Sequence, residues 1–409
     1  MPIRETFADR TAGISDKKSG SMQLKLSRKS DPEGEVQAES KPSSVSADSL
    51  AEKFNQRPKL DGLTGLDISS TRIAAASVSG GRVKSASYMS IDPGLVVDGE
   101  IANPEALGDA IAEFVRASGL SDKVRIGVAS PRVVIRTFET PVIADRRELD
   151  AAIRFQAADH LPMSVDEAVI DYQIVQIVPP KEAGDHPKFQ ILLVAASKGL
   201  VENVVATASR AGVKLQSIDL SAFGLIRALY PGEALASETI CYLHVADMVN
   251  VTLAQGTICK FTRATPSGLA AASTRLMDRC GLTREHAEMW LEHTGLIQPV
   301  ESIQGEADIV AGAREELLAM ANQLGNDITA SVDFHNVQPG ATPVSRIILV
   351  GPGARIEGMA EALTQRTGLP VNISAPLGAL DPSDVDTPEV DLSRMTLAAG
   401  LALEEAVAQ

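Results

Sequence analysis

LTGLDISSTRIAAASVSGGRVKSASYMSI, residues 63–91, carries the reading that sets the fold. LTGLDISS is a short apolar strand that runs into a polar turn, TRIAAASVSG is a second strand, and GRVKSASYMSI is a third. Gly80-Gly81 between the last two is a hairpin signal, because glycine accepts the positive backbone angles of a tight turn. NPEALGDAIAEFVRASG follows with Leu107, Ile111, Phe114 and Val115 at helical spacing, and with Asn103 and Pro104 at the cap and first turn. VRIGVAS then reads as a buried strand.

Before this stretch, residues 1–60 are rich in Ser, Lys, Glu and Asp and show almost no apolar periodicity, which predicts a disordered tail. Its charges nearly balance, so the acidity of the chain belongs to the folded part. After it, residues 132–216 change character. VVIRTFETP is strand-like, ELDAAIRFQAADHLP is an amphipathic helix stopped by Pro162, and AVIDYQIVQIV and FQILLVAAS are strands. GLVENVVATASRAG is a helix and VKLQSIDL a strand, so the order is βαββαβ, as in a small α+β subdomain. From residue 237 strands recur in TICYLHVADMVNVTLAQGTICKFTRATPSG. Helices follow, then the strand–turn–helix RIILVGPGARIEGMAEALTQRTGLPV and the alanine-rich SRMTLAAGLALEEAVA. Two regions that each open with strands and a turn predict a duplicated α/β core. The first comprises 61–131 with 217–236, and the second 237–409.

Composition narrows the function. With 409 residues, 44 % apolar, the chain can bury two lobes. A net charge of -15, 3 % aromatic residues and a single tryptophan argue against a nucleic-acid surface. Cys241, Cys259 and Cys280 have no metal-ligand spacing, and neither do the six histidines. No apolar run approaches the roughly 20 residues of a membrane-spanning helix, and the first residues lack a hydrophobic signal segment. A cytoplasmic location is expected.

Two motifs can bind phosphate. Asp67 stands where the first strand ends, and Ser69, Ser70 and Thr71 in the turn can offer N–H and O–H groups to a phosphate. An aspartate there can hold a hydrated divalent cation. The same residues also suit an ordinary hairpin turn. LVGPGA, residues 349–354, runs an apolar strand into Gly351 and Gly353 before a helix, which permits close approach of a ligand. Many strand-to-helix turns share that pattern with no ligand.

Together, an Asp-containing phosphate turn and a strand–Gly-x-Gly–helix about 280 residues later resemble the layout of actin-like ATPases. Between Gly62 and Ala406 the chain resembles the PilM family of type IV pilus assembly proteins. LDISSTRI looks like the first phosphate motif of that family, and ELDAAIRFQAADHLPMSVDEAVIDYQIV like its extra subdomain. KFTRATPSG, NDITASVDF and RTGLPV with AAGLAL match its later segments. The resemblance implies a two-lobed actin-like, ribonuclease H-like duplicated fold with the βαββαβ subdomain inserted. It further implies ATP with Mg2+ between the lobes, held by Asp67, Ser69, Ser70, Thr71, Arg72, Asp327, Gly351, Gly353 and Ala354, with Asp67 on the metal. The partner implied is a PilN-like inner-membrane protein, whose N-terminal peptide would meet Ile153, Phe155, Gln156, Leu161 and Tyr172. The chain would then sit at the inner face of the membrane.

The sequence departs from that family in two places. The second phosphate motif, usually Asp-Ile-Gly, reads HVADMV, with His244 in the place of the aspartate, Ala246 in that of the glycine, and Asp247 three residues out of register. Ser69 and Arg72 replace a usual glycine and lysine. Weak or absent hydrolysis is expected, and a nucleotide-free peptide-binding scaffold is the alternative. An FtsA-like division protein is disfavoured by the acidic ending LALEEAVAQ. A sugar or acetate kinase is disfavoured by the altered second motif.

Overall fold

The computed structural model describes residues 46–56, 62–180, 182, 184–230, 232–375, 377 and 391–403. Of the expected disordered tail, residues 1–45 and 57–60 lie outside that set. Residues 46–56 correct the expectation, because they hold α1 (Ala47–Asn55), a capped helix. The Ser46 hydroxyl accepts from the Ser49 N–H, satisfying one open donor of the first turn. Leu50 and Phe54, one turn apart on one face, are both buried.

In the first lobe, β1 (Thr64–Ile68), β2 (Arg72–Ser79) and β3 (Arg82–Ser90) form an antiparallel meander, with Gly80 and Gly81 at φ 58° and 75° in its turn. The small hairpin β4 (Val96–Val97) and β5 (Glu100–Ile101) leads to α2 (Pro104–Ser118). The side chain of Asn103 accepts from the Ala106 N–H, as the cap reading predicts. β6 (Lys123–Val128) returns parallel to β1.

The chain then leaves this lobe. β7 (Val133–Pro141), α3 (Arg146–His160), β8 (Ala168–Val178) and β9 (Lys188–Ser197) build a separate sheet of order β7-β9-β8. Side chains alternate along its central strand. Ile191, Leu193 and Ala195 pack with Leu149, Ile153 and Ala157 of α3 and with α1, while Leu192, Val194 and Ala196 join the core of the first lobe. α4 (Lys198–Ala211) and β10 (Lys214–Leu220) follow, completing the expected βαββαβ order. Pairing divides that order, because β10 lies parallel to β6 and α4 packs on α2. The inserted sheet is therefore βαββ, and the last helix and strand belong to the first lobe. α5 (Ser221–Leu229) then leads out of it.

The second lobe repeats the plan. β11 (Thr239–Val245), β12 (Val249–Gln255) and β13 (Ile258–Thr265) form a meander. α6 (Leu269–Cys280), α7 (Arg284–Thr294) and the long α8 (Ala307–Asn336) precede β14 (Val344–Val350), α9 (Met359–Thr367) and β15 (Val371–Ile373). Its sheet runs β13-β12-β11-β14-β15, and that of the first lobe runs β3-β2-β1-β6-β10. Each is a three-strand meander extended by two parallel strands on the far side of its first strand. This identity of order is the duplication expected from sequence.

The last helix corrects the expected boundary of the second lobe. α10 (Thr396–Ala402) crosses back onto the first lobe, against α5 and β1. Arg125 of β6 donates to the carbonyls of Leu401 and Leu403 at 2.9 and 2.7 Å, satisfying acceptors that the helix end leaves open.

Candidate functional site

The C-terminal ends of β1 and β11 face each other across the cleft between the lobes. On the β1 side, Ser69–Arg72 closes the β1–β2 hairpin, with the Ser69 N–H donating to the Arg72 carbonyl at 2.9 Å. On the β11 side, residues 246–248 make the turn into β12. That turn is pinned from below, since Leu269 N–H donates to Ala246 O at 2.7 Å and a Cβ on Gly268 would stand 2.1 Å from the same oxygen.

Asp247 projects from this turn onto the hairpin of the other lobe. Its Oδ2 accepts from Ser69 Oγ at 2.6 Å, from the Thr71 N–H at 3.1 Å, and from the Thr71 hydroxyl. Asp247 is 5 % exposed. Beside it, burial and the Asp247 charge raise the pKa of Asp67 to about 7. His244, also buried, has its pKa lowered to about 4 by burial, against the opposing pull of Asp247. Its Nδ1 has no hydrogen-bond partner among the described residues.

A second bridge lies alongside. Arg72 Nη2 reaches both oxygens of Glu288 on α7 at 3.1 Å, and Glu288 also takes Arg394 at 3.2 Å. Arg394 in turn pairs with Asp391, just before α10.

Of the residues expected at a nucleotide, the structure gathers Asp67, Ser69, Thr71, Arg72, Gly351 and Gly353 around His244, Val245 and Asp247. Ser70 is the half-exposed tip of the hairpin. Gly351 and Gly353 abut β11, where a Cβ would stand 2.9 Å from the His244 ring or 2.3 Å from the Val245 side chain. Ala354 follows in a short 3-10 turn, Pro352–Arg355. Asp327 on α8 is drawn instead to Arg263 of β13, at 3.6 Å. From sequence Asp247 has no place at the site, because a turn residue three positions out of register reveals nothing about the opposite lobe.

In the inserted subdomain, Phe155 stands 80 % exposed on α3, whereas Ile153 on the inward face is 1 % exposed. Ile153, expected as a partner contact, is a core residue, as the i, i+4 row Leu149–Ile153–Ala157 requires. Leu161 and Tyr172 are half-buried against that core, and the Tyr172 hydroxyl donates to Asp150 Oδ1 at 2.6 Å. Gln156 Oε1 is buried with no partner among the described residues.

Residues 65–406 match the family described as type IV pilus assembly protein PilM. The chain belongs to the PilM family. A solved PilM-PilN type IV pilus biogenesis complex shares 21 % identity, covering 84 % of this chain and 98 % of that one at a TM-score of 0.67. Two weaker likenesses are EutJ of Carboxydothermus hydrogenoformans and ADP-bound MreB5 of Spiroplasma citri. EutJ has 13 % identity, coverage of 87 % and 98 %, and a TM-score of 0.46. MreB5 has 12 % identity, coverage of 83 % and 94 %, and a TM-score of 0.48.

The PilM fold implies ATP and Mg2+ at this cleft, and the side chains as placed do not fit them. The three donors that would meet a phosphate already hold a carboxylate. Ser69 and Thr71 hold Asp247, and a buried, neutral His244 stands in the second motif. With Asp247 in place the Ser69 and Thr71 donors are taken, and a triphosphate would have to displace it. Among the described residues, no helix is long and apolar enough to cross a membrane.

Proposed function

We propose that this chain is a cytoplasmic scaffold of a type IV pilus assembly platform, docking the N-terminal peptide of a PilN-like inner-membrane protein on its inserted subdomain. The observation that carries this reading is Phe155. A phenyl ring that is 80 % exposed on a helix is an anchor without a pocket, which a peptide with an apolar residue would cover. The neighbouring Gln156 carbonyl, lacking a partner among the described residues, is available to a peptide N–H if its side chain turns outward. Membrane attachment would then come from the partner.

A second reading keeps ATP and Mg2+ in the cleft. It is favoured by the hairpin of Ser69 and Thr71, whose donors do hold an anionic oxygen. In that reading Asp247 must move before nucleotide enters.

Fluorescence anisotropy with a labelled N-terminal peptide of the PilN-like protein tests the docking reading. Saturable binding by the wild type, weakened at least about tenfold by Phe155→Ser, is the expected outcome. Equal binding by the two proteins would remove the inserted subdomain from the interaction.

A further inference from the structure

The hairpin at Ser69–Thr71 has the character of an anion seat. Two hydroxyls and one backbone N–H converge on a single oxygen, and hydrogen bonds to a charged acceptor are the strong kind. What fills the seat comes from the other lobe of the same chain. The β11–β12 turn that carries Asp247 is held rigidly by Leu269 and by the close approach of Gly268, so the carboxylate is presented rather than dangling. Arg72, which begins the strand after the hairpin, is tied to Glu288 on the same opposing lobe.

We propose that Asp247 is a built-in occupant of a phosphate seat: its carboxylate stands where a nucleotide phosphate would lie and ties the two lobes together there. A tethered carboxylate competes as an intramolecular ligand, at an effective concentration on the order of millimolar or more. An incoming phosphate must displace it and also accept the repulsion of the freed charge. This goes beyond the docking reading and does not depend on it, since no residue of the inserted subdomain enters the argument.

The test is binding of a fluorescent ATP analogue with magnesium, and calorimetry with inorganic phosphate, on the full chain. Wild type, Asp247→Ala and Asp247→Asn are compared, each checked for folding by circular dichroism. Asp247→Ala should bind the nucleotide at least about tenfold more tightly than wild type. Adding Ser69→Ala and Thr71→Val should remove that gain. If Asp247→Ala does not fold, Asp247→Asn serves: it keeps the volume, loses the charge, and should show a smaller gain over wild type. Wild-type binding within about twofold of the folded variant would overturn the proposal. So would a folded Asp247→Ala, or in its stead a folded Asp247→Asn, that binds neither probe better than wild type.

Discussion

Gly400 of α10 crosses Gly224 of α5 so closely that a Cβ on Gly400 would stand 2.0 Å from the Gly224 carbonyl oxygen. Backbone cannot swing aside as a side chain can, so the final helix must tilt or lift if Gly400 gains a methyl group. Gly400→Ala should destabilise by about 1–3 kcal/mol, read as a lower urea midpoint. Gly199→Ala, at a helix position with nothing within 4 Å, is the control and should be neutral or stabilising.

α1 completes the core of the inserted subdomain. Phe54 is buried there, and the Asn55 amide exchanges two hydrogen bonds with the backbone of Ile174 on the edge strand β8, at 2.7 and 3.1 Å. Phe54→Ala should cost about 3–5 kcal/mol locally. Hydrogen exchange should show it as faster exchange in β7–β9, with the second lobe unchanged.

These two contacts mark where the sequence stopped being legible. The meander β1–β3, the cap at Asn103 and the β11–β12 pair were readable because turn chemistry and periodicity are local. The insertion was readable too, but its last helix and strand were not separable from it. Whether β10 pairs with β9 or with β6 is decided by distant backbone, not by VKLQSIDL itself. α1 was hidden because only Leu50 and Phe54 of its nine residues are buried, among charges typical of a solvated tail. Asp67, Ser69 and Thr71 were legible as a polar turn at the end of the first strand. Asp247, which takes the Ser69 and Thr71 donors, needed the facing lobe.

Asp67 should make stability fall with rising pH. Its pKa of about 7 in the folded chain lies above the ordinary 3.8, so the native state holds a proton that the unfolded chain has lost. That contribution is fully present below pH 3.8 and is lost as pH rises through about 7. Asp67→Asn, permanently neutral, should therefore melt higher than wild type at pH 8 and match it near pH 4. A thermal-shift series across that range checks the sign.

His244 works in the opposite direction. Unfolded, it takes a proton near 6.5, and buried in β11 it does so only at about 4. Its contribution is present above pH 6.5 and is lost as pH falls through about 4. In His244→Leu the decline over this window should be shallower. The substitution also removes a buried nitrogen that has no partner among the described residues, so it should cost little at pH 7.

The proposed docking surface of this PilM-family chain would work beside a cleft that Asp247 already bridges. The most direct measurement is the affinity of full-length wild type for the N-terminal peptide of the PilN-like protein, with and without ATP and magnesium. The account predicts the same Kd in both conditions, since Asp247 already fills the seat that nucleotide would take. Peptide binding that appears only when ATP and magnesium are added would contradict it.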